Sequence, residues 1–274
     1  MDSGKLHWVK PEIPVKNLSA SHKIKHCDVV SPKSLLDLSK VIRLLEDPLT
    51  ERHLFVLKKL LKRNQSGFLL RELADISQIL NICAEKVSDQ PKYASVLCEA
   101  LEICRFPFLK ERTSDELIYA QDATEFLSNM GRLMRLPHAE VQEHVLELVR
   151  LFFSSDAPTD LHENLQATSA VYRQQLLEHS DLPKTLLLSM AALQDQPSIK
   201  LQLLQTLQLL SSSSDMNCTL ILDAGGAEMI CLHMNNGDQS GRVLLCSSEI
   251  LWNLLESRSK EEAMTQLSSM ECVV

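Results

Sequence analysis

Residues 220–257 read LILDAGGAEMICLHMNNGDQSGRVLLCSSEILWNLLES, and this stretch decides the fold class. A short apolar helix is expected to end near Asp223-Ala-Gly-Gly226, a second to run through Met234, and a longer third to span Val243 to Glu256. Gly225 and Gly226 let the chain bend sharply between the first two, and Asn235 to Gly241 supplies a Gly-containing turn before the third. Helices this short cannot bury their apolar sides alone. They need neighbours of the same kind.

The same texture extends upstream. Pro197 to Leu210 is apolar at Ile199, Leu203, Leu204, Leu207 and Leu210, and Ser211 to Ser214 then breaks the pattern as a plain loop. Pro183 to Leu193 reads as another helix, whereas Leu161 to Ser180 gives a weaker signal after the Ser, Asp and Pro of the loop at Ser154 to Asp160. His138 to Phe153 is amphipathic, and Thr113-Ser-Asp-Glu116 has capping-box spacing ahead of a segment reaching Leu136. Further back, helices are expected from about Leu69 to Val87 and from Pro91 through Val96, Leu97, Ala100, Leu101 and Cys104. One more pair begins at Ser31-Pro32 with Leu35, Leu38, Ile42 and Leu45, and continues after Asp47-Pro48 with Leu54, Leu57, Leu60 and Leu61 before Gly67.

No strand signal of comparable strength appears, so the fold class is all-α. Units of about forty residues holding two or three helices mark armadillo and HEAT arrays, an alpha-solenoid of stacked helical hairpins and triplets. The expected organisation is a flexible N-terminal tail over residues 1–30, without helical period, and a helical repeat domain over residues 31–274.

Composition narrows the function classes. Of 274 residues, 45% are hydrophobic and only 4% aromatic, which gives no stacking platform for single-stranded nucleic acid. The net charge is −8; the tail carries five Lys against Asp2, Glu12 and Asp28, so residues 31–274 stand near −10 and nucleic acid is not an expected partner. The eight cysteines form no C-x-x-C pair and read as reduced core residues, as with Cys83, Cys98, Cys104 and Cys246. With neither a signal-peptide pattern nor a membrane-length apolar run, membrane insertion is not expected, and a soluble intracellular protein is.

Five features bear on chemistry or binding. His22, His26, Cys27 and Asp28 include ligand types for zinc, but the second ligand pair of a finger is missing, so a solvated tail is expected. Gly225-Gly226 lacks the Lys-Ser/Thr of a phosphate loop and is expected to be a helix-to-helix turn. Lys58, Lys59, Lys62 and Arg63 form a basic face suited to the acidic surface of tubulin, although a solvated helix face is the default; Ser211 to Ser214 could accept phosphate. Trp252, on an apolar helix, is expected in the core rather than at a partner. The sequence assigns no catalytic residue, no cofactor, no metal ligand and no small-molecule substrate: not an enzyme.

Residues 220–257 resemble an armadillo repeat. Peptide-binding armadillo proteins carry W-x-x-x-N in the third helix, with the Asn on the peptide backbone; here Trp252 and Asn253 are adjacent and Glu256 holds the Asn position, so that groove is not carried over. VIRLLEDPLTERHLFVLKKLLKR (41–63), RELADISQILNICAEKV (71–87), FPFLKERTSDELIYAQDATEFL (106–127) and above all SSEILWNLLESRSKEEAMTQLSSMEC (247–272) resemble the cilia- and flagella-associated protein 69 family of armadillo-type proteins. That resemblance implies a structural, protein-binding component of the axoneme in motile cilia and sperm flagella. It further implies association with the central microtubule pair, a need in flagellum assembly, and a part in olfactory cilia. It also implies much longer chains, so this one is expected to be an amino-terminal fragment or short isoform with its repeat domain truncated at the C-terminal end. The alternative is a soluble cytosolic armadillo-type adaptor that recognises peptides.

Overall fold

Short links between amphipathic segments force consecutive helices to pack on each other. The computed structural model describes residues 38–47, 51–62, 69–104, 108–153, 164–193, 195–234 and 240–270, and thirteen α-helices lie among them. They group as three hairpins, α1 (Leu38–Glu46) with α2 (Glu51–Lys62), α3 (Leu73–Val87) with α4 (Lys92–Ile103), and α5 (Ala120–Leu133) with α6 (Ala139–Phe153). Two triplets follow: α7 (Ala170–His179), α8 (Leu182–Ser189) and α9 (Pro197–Ser213), then α10 (Asp215–Leu222), α11 (Gly226–Met234) and α12 (Arg242–Glu256). Helix α13 (Lys260–Ser269) packs on α11 and α12.

Stacking makes two layers. Helices α2, α4, α6, α9 and α12 pack each on the next as a ladder, while α1, α3 and α5 continue through α7 and α8 to α10 in the other layer. Position in the ladder decides burial: α4, between α2 and α6 and over α3, buries Tyr93, Ala94, Val96, Leu97, Cys98, Ala100, Leu101 and Ile103. The leucine stripe anticipated in α9 is buried at Leu203, Leu204, Leu207 and Leu210. No helix among the described residues is long and apolar enough to cross a membrane.

A recurring device closes helix ends. The last carbonyls of a helix lack intrahelical partners, and burial without one costs about 1–3 kcal/mol. Long side chains from neighbouring helices supply the donors: Lys86 Nζ reaches Leu45 O at 2.7 Å, and Gln142 Nε2 reaches Met134 O and Leu136 O at 3.0 and 2.8 Å. Gln266 of α13 donates to Leu222 O at 2.7 Å and accepts from Ala227 N at 3.1 Å, bridging α10 and α11. Deleting residues 258–274 is therefore expected to lower the thermal unfolding midpoint, and Gln266→Ala alone to cost about 1–2 kcal/mol. Unchanged midpoints for both would count against α13 as a stabilising cover.

Three sequence expectations are corrected. A small antiparallel ribbon exists: β1 (Leu109–Glu111) pairs with β2 (Leu165–Ala167), Leu109 opposite Ala167, and Leu69 forms a parallel bridge to Leu109. Asp115, not Thr113, caps the helical turn at Glu116–Tyr119, its Oδ1 accepting from Leu117 N at 3.0 Å; Glu116 instead accepts from Ser169 Oγ at 3.0 Å. Ser211 to Ser213 continue α9, each hydroxyl donating to the carbonyl three residues earlier. The break falls at Ser214, whose extended backbone ends α9 and whose Oγ accepts from Met216 N to start α10. The expected helix start over residues 31–37 and the expected stop at Gly67 lie outside the described residues.

Lys200 is buried, and its Nζ donates to His233 Nδ1 at 3.0 Å, joining α9 to α11. Burial first, and the adjacent Lys200 second, hold His233 below its ordinary value; burial also lowers Lys200. A depressed histidine keeps the neutral ring in the folded state, so its contribution is present above the unfolded value near 6.5 and is lost as pH falls through it toward the folded one. The unfolding midpoint should fall between about pH 7 and pH 5, and His233→Gln should flatten that fall. Parallel pH profiles for the two proteins would refute the assignment.

Candidate protein-docking surface

The outer side of the ladder is where successive helices present side chains next to one another. His144 Nε2 of α6 lies 3.6 Å from Glu102 Oε2 of α4, and Arg150 Nη2 of α6 donates to Gln202 Oε1 of α9 at 3.0 Å. Between α9 and α12, Gln208 Nε2 donates to Glu249 Oε2 and Asn253 Nδ2 donates to Ser211 Oγ at 2.9 Å. These cross-links run between neighbours in chain order and hold the ladder's polar side in register.

Charge varies from rung to rung. Helix α2 carries Arg52, Lys58, Lys59 and Lys62 against Glu51, whereas α4 and α6 carry Glu99, Glu102, Glu140, Glu143 and Glu147 against Lys92 and Arg150. Buried Lys200 is the one charged residue of α9, whose outward side holds Gln205 and Gln208. Helix α12 then exposes Leu245 (60%) and Trp252 (62%) together with Glu249 and Glu256. A recess of about 370 Å³ between α9, α10 and α12 is lined by Ser211 to Ser214, Asp215, Cys218, Asn253, Glu256 and Ser257.

Trp252 overturns the expectation of a core position. The buried stripe of α12 runs through Cys246, Ile250 and Leu254 at steps of four residues, and Trp252, two beyond Ile250, points about 200° away from it. Asn253 faces α9 and is engaged by Ser211, while Glu256 stands exposed four residues past Trp252. Gly225 (φ +74°) forms the helix-to-helix turn, and a Cβ on Gly226 would meet Ile221 O at 2.5 Å, so glycine is required there on steric grounds. On α2, Lys58 is half-buried and Lys59 exposed. His22, His26, Cys27, Asp28, Arg63 and the side chain of Lys62 lie outside the described residues.

Nucleophilic chemistry finds no support in the thiols. Burial pushes Cys83 and Cys98 up to about 12 and Cys218 to about 11, and raises Cys104 as well, so these groups stay protonated at neutral pH. The ladder's polar outer side was missed from sequence, although Gln202, Gln205 and Gln208 recur every three residues through a leucine helix and mark an outward stripe.

A family model described as Cilia- and flagella-associated protein 69, ARM repeat, matches residues 36–274. The chain is similar to cilia- and flagella-associated protein 69 of Homo sapiens, 40% identical over 251 residues, covering 90% of this chain and 26% of the relative. The Mus musculus protein of that name is 37% identical over 243 residues, covering 87% and 26%. The chain thus spans about a quarter of the length of these curated relatives. Among solved structures, the designed armadillo repeat protein YIII(Dq)4CqI gives a TM-score of 0.46 at 14% identity, covering 85% of this chain and 93% of that one. Computationally designed armadillo repeat proteins for modular peptide recognition give 0.46 at 14% identity, covering 86% and 100%. Armadillo repeats are a structural repeat family and not an enzyme family, and with its stacked hairpins and triplets this chain belongs to the cilia- and flagella-associated protein 69 armadillo-repeat family.

Proposed function

We propose that the chain is a scaffolding segment of motile cilia and sperm flagella that works by holding other axonemal proteins, without a chemical step. The observation that carries this reading is the ladder itself: five long helices packed rung on rung expose much polar surface per residue, fixed in register by side-chain bonds. Family membership supports the ciliary and flagellar setting. The finer parts of the proposal are a place in the central apparatus, possession of a microtubule-associated neighbour, service in flagellum assembly during spermatogenesis, and a part in olfactory cilia. Residues 31–274 act as the repeat domain, with 1–30 as lead-in.

Tagged residues 1–274, expressed in a multiciliated cell and extracted with detergent, should remain on the axoneme. Complete release into the soluble pool would overturn docking by this segment and favour a cytosolic adaptor that recognises peptides.

A further inference from the structure

Helices α3 and α5 pack together in the layer away from the ladder, and a recess of about 360 Å³ lies between them, lined by these two helices alone. Ala74, Gln78, Asn81 and Glu85 follow one another at steps of four, three and four residues, so they share the face of α3 turned away from its buried stripe at Leu73, Ile76, Leu80 and Cys83. Asp122 and Glu125 enter from α5, three residues apart and thus on one side of that helix. Three carboxylates and two side-chain amides ring one opening. The cations of the same helices do not neutralise it. Lys86, the basic residue of α3, sends Nζ to Leu45 O and over the Tyr93 ring, and Arg132, the basic residue of α5, donates to Asn129 Oδ1 at 3.1 Å. Among the described residues no ion pair engages Glu85, Asp122 or Glu125. Ser77 adds an independent sign. It lines the recess where α3 turns toward the core, is 8% exposed, and its Oγ has no hydrogen-bond partner. Helix serines often turn the hydroxyl back onto the carbonyl one turn earlier, as Ser189 and Ser248 do; Ser77 does not. Buried polar atoms are nearly always paired, so an unpaired acceptor beside an acidic opening suits a donor that arrives from outside.

We propose that this recess takes the guanidinium of an arginine side chain carried by a partner protein, at a contact on the opposite layer from the ladder and beyond the docking proposed above. Among the described residues no three Asp, Glu, His or Cys side chains converge closely enough to hold a metal ion, so the cation that fits is a broader one, met by acceptors spread over two helices. A guanidinium has that shape: it is planar, always charged, and carries five N–H donors in a fixed fork. The fork spans the carboxylates of Asp122 and Glu125 on one helix and Glu85 on the other, with the amide oxygens of Gln78 and Asn81 beside them, and an inner N–H goes to Ser77 Oγ. Ala74 and half-buried Ile82 give the aliphatic stem an apolar wall. A lysine ammonium is a compact point charge with three donors and bridges the two helices poorly. Anionic partners are repelled by the same carboxylates.

Isotope-labelled residues 1–274 are titrated with Nα-acetyl-arginine amide and followed by NMR. The backbone amide signals of Gln78, Asn81, Asp122 and Glu125 should shift and saturate; the lysine analogue and putrescine should bind several-fold more weakly, and the citrulline analogue, equal in length but uncharged, should leave them unmoved. Asp122→Asn with Glu125→Gln should weaken arginine-amide binding roughly tenfold, and Ser77→Ala roughly threefold, with neither variant lowering the unfolding midpoint. The site is overturned by absence of saturable shifts, by shifts of equal size along the carboxylates of α6, by lysine amide, putrescine or citrulline amide binding as well as arginine amide, or by binding indifferent to these substitutions. The source of the arginine is read in ciliated cells: a benzophenone side chain at Gln78 should crosslink to a protein and lose that crosslink when Asp122→Asn and Glu125→Gln are added. No protein crosslink from Gln78, or one indifferent to the added substitutions, overturns the partner. Release of the tagged chain from the axoneme sinks the ladder reading and leaves this titration untouched.

Discussion

Phe108→Ala should destabilise the fold by about 3–5 kcal/mol, read as a lower urea midpoint at unchanged slope. Phe108 is 1% exposed and meets two rings edge to face, Phe126 of α5 at 5.6 Å and Phe152 of α6 at 5.1 Å between centroids. Its carbonyl accepts from Thr168 N at 2.9 Å, which ties the loop after β2 to the loop before β1. Removing the ring therefore opens a cavity where two helices and the ribbon converge, and it loses aromatic contacts worth about 0.5–1.5 kcal/mol per pair beyond area burial. Phe108→Leu, which keeps much of the volume, should cost distinctly less. Equal midpoints for wild type and Phe108→Ala would mean that the ribbon is not anchored through this residue.

The second large effect is expected at the crossing of α5 and α8. A Cβ on Gly131 would lie 1.9 Å from Thr185 Oγ1 and 2.9 Å from Thr185 Cβ, well inside contact distance. Thr185 has no easy escape, since its Oγ1 donates at 3.0 Å to Asp181 O and Leu182 O. Gly131→Ala should cost about 1–3 kcal/mol, the usual range for overpacking, and Gly131→Val more. Because the clash has a named partner, Thr185→Gly should recover most of the loss in the double variant, and Thr185→Ala only part of it. Simple additivity in that double-mutant cycle would refute the close approach.

The helices and their buried stripes were legible because apolar spacing reports which side of a helix is buried. Ile199, Leu203, Leu204, Leu207 and Leu210 follow that rule, and all five are buried. Trp252 lies on the outer side because helical phase, not residue type, sets which way a side chain faces: two residues beyond Ile250, it is turned away from the buried stripe. The ribbon was invisible for another reason: strands of three residues are too short to show alternation, and β1 and β2 come from distant loops. At Ser211 to Ser213 the hydroxyls bond back to helix carbonyls, and Asn217 Nδ2 takes Leu210 O at 3.1 Å, so a run that looks like a loop stays helical. The polar face of the ladder was hardest to foresee, since it depends on which helices become neighbours, and stacking alone decides that.

Photo-crosslinking in ciliated cells tests the central claim most directly. A benzophenone side chain placed at Ser248 of α12 or Glu143 of α6, both exposed on the ladder, is compared with one at Val171 of α7 in the other layer. Crosslinks from Ser248 and Glu143 to an axonemal protein, absent from Val171, are the predicted result. Crosslinks from Val171 with none from the ladder positions would contradict the account and move the binding surface to the opposite layer.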